Sequence, residues 1–343
     1  MHTERPSYRK TRAETARSLH LIHRVSLMLL CGALFGLVAP VIAQQYPSRP
    51  VRFVVPFSPG GSTDTLARTL GVKLADVLGE QVVIDNRAGG NGNIGMEIVA
   101  QARPDGHTIV LGYIANLAIA PSLYAKLPFD PVKDFAPVTQ LASSPNVLTA
   151  HPSVPAKNLK ELVALAKVKP GNVTFASTGV ASVGHLTGEL LNTLAGVKMT
   201  HVPYKGGGQA IIDLLGGHVQ VMFSGFTAAM PHIKSAKIRA LAVTGAKRSP
   251  ALSEIPTIAE QGFPGVESTA WYGVLAPANT PKPVITRLHG ELVRILKLPD
   301  VAQRLDGLGF EIVGSTPEEF GAYIKTEIKK WEKVVRASGA KAD

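Results

Sequence analysis

From Val51 onward, short apolar runs alternate with longer segments whose apolar positions recur at helical spacing. That alternation predicts an α/β protein with mostly parallel sheets. Val51 to Phe57 reads as a buried strand, and Ser58-Pro59-Gly60-Gly61-Ser62-Thr63-Asp64 turns from it into a helix running to about Leu78. Gln81 to Asp85 and Thr108 to Tyr113 are the next two strands. Asn158 to Lys167 reads as a helix stopped by Pro170-Gly171. Val173 to Ala176 is a strand that leads through a Ser/Gly loop into a helix from about Gly184 to Leu194. Gly208–Leu215 and Val219–Phe223 form a further helix and strand, with another apolar strand around Ile238–Val243. Trp271 to Ala276 is the last strand. Pro281 to Lys297 and Pro317 to Ala337 are amphipathic helices, their starts marked by Pro and Thr-Pro.

Proline-rich stretches at Pro128–Pro137 and Pro145–Pro155, and again at Pro256–Pro264, read as two crossings between domains. With 343 residues the chain is long enough for two cores. Two crossings give a discontinuous first domain, residues 44–145 and 267–343, and a second domain, residues 146–266. No heptad, low-complexity tract or fixed-period repeat suggests otherwise.

The first 43 residues stand outside this pattern. Arg5, Arg9, Lys10, Arg12, Arg17 and Arg24 precede an apolar run from Val25 to Ala43, which ends in Val41-Ile42-Ala43. This reads as a secretory signal peptide, with the mature chain starting near Gln44 in the periplasm. A membrane anchor is the alternative, since the run approaches the length of a bilayer span. Cys31, the only cysteine, follows Leu30 rather than a small residue, so no lipidation is expected. Cleavage after Ala43 would leave no cysteine for a disulfide or a metal.

The formal charge is +11, and 30 Lys/Arg against 23 Asp/Glu beyond Ala43 leave +7. That field favours anionic partners. The basic residues are scattered and aromatics are few, which argues against nucleic acid.

Three loops offer chemistry. Gly60-Gly61-Ser62 follows a strand and opens a helix, where unpaired amides and the positive dipole end suit an anion. An ordinary capped turn is an equal reading. Ser177-Thr178-Gly179-Val180-Ala181-Ser182-Val183-Gly184-His185 repeats the arrangement in the second segment; His185 on a first turn is more often structural than catalytic. In His201-Val202-Pro203-Tyr204-Lys205-Gly206, Tyr204 and Lys205 could reach a carboxylate or form a solvated turn. Gly90-Asn91-Gly92-Asn93-Ile94-Gly95 matches the dinucleotide pattern, but no acidic residue occurs from Gly106 to Phe129 to hold a ribose. P-loop, H-E-x-x-H and G-x-S-x-G motifs are absent, and the histidines lack zinc spacing. No catalytic residue, metal or cofactor is expected.

Several ordered motifs resemble one family. They are Tyr46-Pro47-Ser48-Arg49-Pro50-Val51-Arg52, Val55 through Asp64, Asp85-Asn86-Arg87-Ala88-Gly89-Gly90 and Pro121-Ser122-Leu123-Tyr124. Gly184 through Leu190, Val202-Pro203-Tyr204-Lys205-Gly206, Asp213 through Val219 and Trp271 through Pro277 continue the series. Together they resemble the tripartite tricarboxylate transporter receptors, or Bug proteins. The resemblance implies a type II periplasmic-binding fold, with two Rossmann-like α/β domains around a ligand cleft. It implies a monomer that binds a small carboxylate and hands it to membrane transporter subunits, with no catalysis. A receptor feeding a signalling sensor, or an enzyme on a similar scaffold, are the rival readings. Carried onto this chain, the ligand site comprises Phe57, Ser58, Gly60, Gly61 and Ser62 with Ser177, Thr178, Ser182 and His185. Tyr204, Phe223 and Ser224 would line the rest. Where the family often has a Gly-Thr-His loop, this chain has Ala115-Asn116-Leu117. Asn116 keeps a polar handle, and Leu117 would make the pocket more apolar if it faced the ligand.

Overall fold

The computed structural model describes residues 46–180, 182–204 and 206–340. The expected signal peptide, the cleavage site before Gln44, Cys31 and Lys205 lie outside the described residues.

Strand β1 (Val51–Val55) is buried on both faces apart from Arg52, which is partly exposed and paired with Asp85. Helix α1 (Ser62–Leu78) follows and stops at Gly79, whose φ of 73° supplies the left-handed cap that a side chain would disfavour. Next come β2 (Val82–Asn86), α2 (Asn93–Ala100) and β3 (Thr108–Tyr113). A π-type turn over Ala115–Ile119 leads into the short α3 (Ala120–Leu123). Strand β4 (Phe135–Ala150) is 16 residues long, where the prolines predict crossings and no strand.

The middle of the chain supplies α4 (Leu159–Val168), β5 (Thr174–Ser177), α5 (Val183–Ala195) and β6 (Thr200–Pro203). It continues through α6 (Gly207–Leu215), β7 (Val221–Gly225), α7 (Phe226–Lys234) and β8 (Arg239–Val243). The last part holds β9 (Thr269–Pro277), α8 (Lys282–Leu296), α9 (Pro299–Gly307), β10 (Glu311–Ile312) and α10 (Pro317–Ser338). Helix α10 begins as its sequence dictates: Thr316 accepts from the Glu319 amide, and Glu319 reaches back to the Thr316 amide.

The strands run β2-β1-β3-β9-β4-β7-β5-β6, with β8 and β10 also paired to β4. Pairs β1–β2, β1–β3, β5–β6 and β5–β7 are parallel; every pair made by β4 or β9 is antiparallel. The sheet is therefore mixed rather than mostly parallel, because two long strands run against the βαβ units. Strand β4 serves both regions. From Phe135 to Pro145 it pairs with β9, and from Asn146 to Ala150 with β7.

The return path lies beside it. The Asn146 amide donates to Thr244 Oγ1 at 2.8 Å, and the same hydroxyl donates to the Ser268 carbonyl at 2.5 Å. Thr244 thus ties the outgoing strand to the incoming one.

Alternation along the middle strands splits the core in two. Leu148, Phe175 and Phe223 face α4 and α5, where Leu159, Leu162 and Leu191 are buried. Val147, Ala176 and Met222 face α6 and α7, where Ala210, Leu214, Phe226 and Ala229 are buried. Among the described residues no helix is long and apolar enough to cross a membrane.

Candidate ligand-binding site

The loop between β1 and α1 is held from below by one carboxylate. Asp64 accepts from the Gly60 amide at 2.9 Å, Arg68 Nε at 2.9 Å and Asn86 Nδ2 at 3.0 Å. Asn86 Nδ2 also donates to the Phe57 carbonyl at 2.9 Å. Burial pushes the Asp64 carboxyl up, but hydrogen bonds from Arg68, Gly60 and Asn86 outweigh it and hold it below the usual range. The Gly60 amide is therefore spent on Asp64, and Gly60 takes a left-handed φ of 86°. Gly61 is exposed and extended, and Ser58 is exposed on the same loop.

Ser62 is hydrogen-bonded to Tyr272 on β9 and lies opposite the second region: a Cβ on Gly225 would sit 3.5 Å from Ser62 Oγ. The start of α1 thus meets the start of α7. Behind Ser62 stands an aromatic row. Phe57 meets Tyr113 edge-on at 5.4 Å, and Tyr113 packs on Tyr272 at 5.1 Å. Burial raises both phenols well above their ordinary range, so they remain neutral donors.

Asn116 sits in the π-type turn, fully buried. Its Oδ1 accepts from the Tyr113 amide at 3.0 Å, while its Nδ2 has no protein partner. Ser224 on β7 is also buried, and its Oγ has no partner. Leu117 does not face this space. It packs under the sheet, where a Cβ on Gly112 would lie 2.5 Å from its Cδ1 and from Leu275 Cδ1. The apolar contribution conditionally expected from Leu117 is therefore absent.

The second loop is bound up with itself. The Ser177 hydroxyl donates to the Gly179 carbonyl at 2.9 Å and lies 2.7 Å from His201 Nε2. Ser182 caps α5 by accepting from the His185 amide at 3.3 Å. The rings of His185 and His201 stack at 3.8 Å. Thr178 is exposed and close to Gly207. Tyr204 donates its hydroxyl to Asp213 Oδ2 at 2.7 Å, with its ring against the core under α6. Phe223 is a core residue, its ring edge-on to Phe175 at 6.1 Å.

The structure thus gathers Phe57, Ser62 and Asn116, and sets Ser62 against the Gly225 end of β7, next to Ser224. It turns Tyr204 and the Phe223 ring elsewhere. Tyr113, Tyr272 and Gly92 belong with the first group and were not among the candidates. A Cβ on Gly92 would meet Asn116 Nδ2 at 2.7 Å and Phe57 Cζ at 3.0 Å. The sequence signal for Gly92 was its G-x-G run, which pointed to a nucleotide rather than to this wall. Among the described residues no group of His, Cys, Asp or Glu could hold a metal.

The histidine pair gives a pH prediction. Burial lowers His185 to about 4, and burial together with the charge of His185 lowers His201 to about 3. Both stay neutral in the fold, while the unfolded chain protonates near 6.5. The unfolded state then binds more protons below that pH, so stability falls on acidification. His185 alone should contribute a fall of about 1.4 kcal/mol per pH unit between about 6 and 4.5. Urea midpoints at pH 7 and pH 5 are expected to drop less in His185→Asn than in the parent; equal drops would show that His185 titrates normally.

With this geometry in view, comparison with known proteins decides the kinship. The sequence profile of the tripartite tricarboxylate transporter family receptor matches residues 66–340. The chain belongs to that family. It is 38% identical over 307 residues to protein BugT of Bordetella pertussis, covering 89% of this chain and 94% of BugT. Among solved structures it resembles Rpa4515 of R. palustris with adipate, at 38% identity and a TM-score of 0.83, over 86% of this chain and 99% of that one. It also resembles MatC of Rhodopseudomonas palustris with bound malate, at 35% identity and a TM-score of 0.79, over 84% and 100% of the two chains. Family membership accounts for the mixed α/β fold and makes this a solute-binding receptor of the Bug type.

Proposed function

We propose that this family member is an extracytoplasmic, monomeric receptor that captures a small carboxylate and delivers it to a tripartite transporter, without chemistry on the ligand. The observation that carries the reading is the meeting of Ser62 with the Gly225 end of β7, flanked by two buried polar groups without partners, Asn116 Nδ2 and Ser224 Oγ. Asn116 follows β3 and Ser224 lies on β7, on either side of the β9–β4 pair in the middle of the sheet. Buried polar atoms in a native protein are almost always paired, so two such donors beside a loop suited to anions support a polar ligand as their partner.

None of the described candidate side chains is a lysine or arginine. An anion here is held by neutral donors and helix amides, as P-loop and other phosphate sites do in part. The adipate and malate seen in two relatives support a small carboxylate as the guest. Two lobes, residues 44–145 with 267–343 and residues 146–266, then close on it about the Thr244 tie, because only the closed form lets both sides touch the ligand.

A thermal-shift screen of mono-, di- and tricarboxylates tests this. At least one acid at 100 times its Kd should stabilise the protein by about 2.7 kcal/mol. No shift with any acid would remove the receptor reading, and consumption of an acid on incubation would replace it with catalysis.

A further inference from the structure

We infer that His201 is a positioning residue for ligand binding: stacked on His185, it fixes the loop between β5 and α5 in the form that receives the carboxylate. The inference rests on the receptor reading and gives a role to a side chain outside the set expected to touch the ligand.

Sheet geometry brings the parts together. Strands β5 and β6 are parallel, with Phe175 opposite His201. Alternation puts Phe175 and Ser177 on one face of β5, so His201 is a diagonal neighbour of Ser177 on that face. Helix α5 covers the same face and carries His185 in its first turn. The two imidazoles stack at 3.8 Å with 15° between their planes, and His201 also lies 5.0 Å from the Phe175 ring.

The stack joins the two ends of the loop. At its start Ser177 is fully buried, and its hydroxyl shapes the turn. Oγ accepts from the Gly179 amide at 3.2 Å, donates to the Gly179 carbonyl at 2.9 Å and lies 2.7 Å from His201 Nε2. Gly179 has a φ of 145°, a backbone that glycine adopts readily and other residues rarely. At its end Ser182 accepts from the His185 amide, and a Cβ on Gly184 would lie 2.7 Å from the Phe223 carbonyl. That contact sets the loop beside Ser224, the next residue of β7, which precedes the Gly225 that faces Ser62. A shift at Ser177 is therefore carried to the second side of the proposed cleft.

Burial lowers both rings, to about 4 for His185 and about 3 for His201, so the stack consists of two uncharged rings at neutral pH. A neutral imidazole has one donor and one acceptor nitrogen, and a hydroxyl can partner either. The bond from Nε2 to Ser177 is what separates positioning from packing. Phenylalanine at 201 keeps a stacked ring and loses that bond. Glutamine gives up the ring and keeps a polar atom near the place of Nε2, whereas the shorter asparagine does not reach it.

Calorimetry with the acid that binds the parent most tightly in the carboxylate screen tests this, with urea unfolding to show that each variant is folded. His201→Phe should weaken binding at least about 5-fold, and His201→Gln should stay within about 2-fold of the parent. His201→Asn should lose as much as His201→Phe, which guards against misfolding of the phenylalanine variant. Ser177→Ala should also weaken binding, and adding His201→Phe to it should cost no more than about a further 2-fold, because both changes act through one bond. Parental affinity in both His201→Phe and His201→Asn, a glutamine variant as weak as phenylalanine, or losses that multiply in the double variant would overturn the positioning role and leave the receptor reading intact. A merely structural histidine would move the urea midpoint and not the affinity. If no acid of the screen binds the parent, both readings fail.

Discussion

Replacing Glu327 by leucine is expected to destabilise the protein by about 2–5 kcal/mol, the largest loss from any single substitution considered. Glu327 Oε2 accepts from Trp271 Nε1 and from Trp331 Nε1, both at 3.0 Å. Trp271 is 0% and Trp331 1% exposed, so neither indole can turn to water. The acid joins β9 to α10, and the Trp271 ring is wedged edge-on against Phe320 and Tyr323 of that helix. Leucine fills the space but leaves two buried donors unpaired, each worth about 1–3 kcal/mol. Glutamine keeps a carbonyl acceptor and should lose clearly less. Urea unfolding of the two variants checks this; a leucine variant as stable as the glutamine one would show that the indoles find other partners.

Gly61→Val is expected to weaken carboxylate binding at least about 100-fold, or about 2.7 kcal/mol, with the fold intact. Gly61 has φ −81° and ψ 175°, an extended conformation that valine favours. A Cβ there meets only the Ser58 carbonyl, at 3.9 Å. The substitution should therefore be silent by circular dichroism and nearly silent in thermal unfolding. It does obstruct the approach of an anion to the amides that open α1, and a displaced anion loses charge-assisted hydrogen bonds. Gly60 is the contrast: its φ of 86° makes a valine there strained whatever the ligand does. Calorimetry with the acid that gives the strongest thermal shift decides the matter, and unchanged affinity in a folded Gly61→Val would take this loop out of the site.

Much of the fold can be read from periodicity. Thr108–Tyr113 is found as expected, and the helices capped by Asn158, Ser182 and Thr316 start within a residue or two of their predicted places. Local signals suffice there because a cap or an apolar run acts over a few residues. Strand β4 shows the limit. Pro137 and Pro145 look like breakers, yet the ladder to β9 shifts register after Pro137, and Pro145 ends its pairing at Thr269. Proline is tolerated where a ladder is interrupted or ends, and nothing local announces that. The site divides in the same way. The Gly60 to Ser62 loop could be picked out as a candidate because a strand, glycines and a helix start adjoin in sequence. Tyr113 and Tyr272 were not, since they meet only through the register of β3 with β9. The committed hydroxyl of Tyr204 was equally invisible, because Asp213 lies on the next helix.

Strand order also sets the sequence of events by which the molecule can be made. The β1, β2 and β3 ladder is joined to β4 only through β9, which sits between β3 and β4. A growing chain therefore synthesises its first three strands long before the strand that connects them exists. Strands β5 to β8 and the end of β4 fall within one continuous stretch and can pair early. The first strands must wait as a partial sheet with β3 as an open edge, a template for unwanted pairing until Thr269–Pro277 arrives. Closing so distant a contact is slow, because the entropy of the intervening loop is lost before the pairing compensates for it. Chains ending before Thr269 would keep that edge open permanently, so the C-terminal quarter acts as the final clasp of the structure.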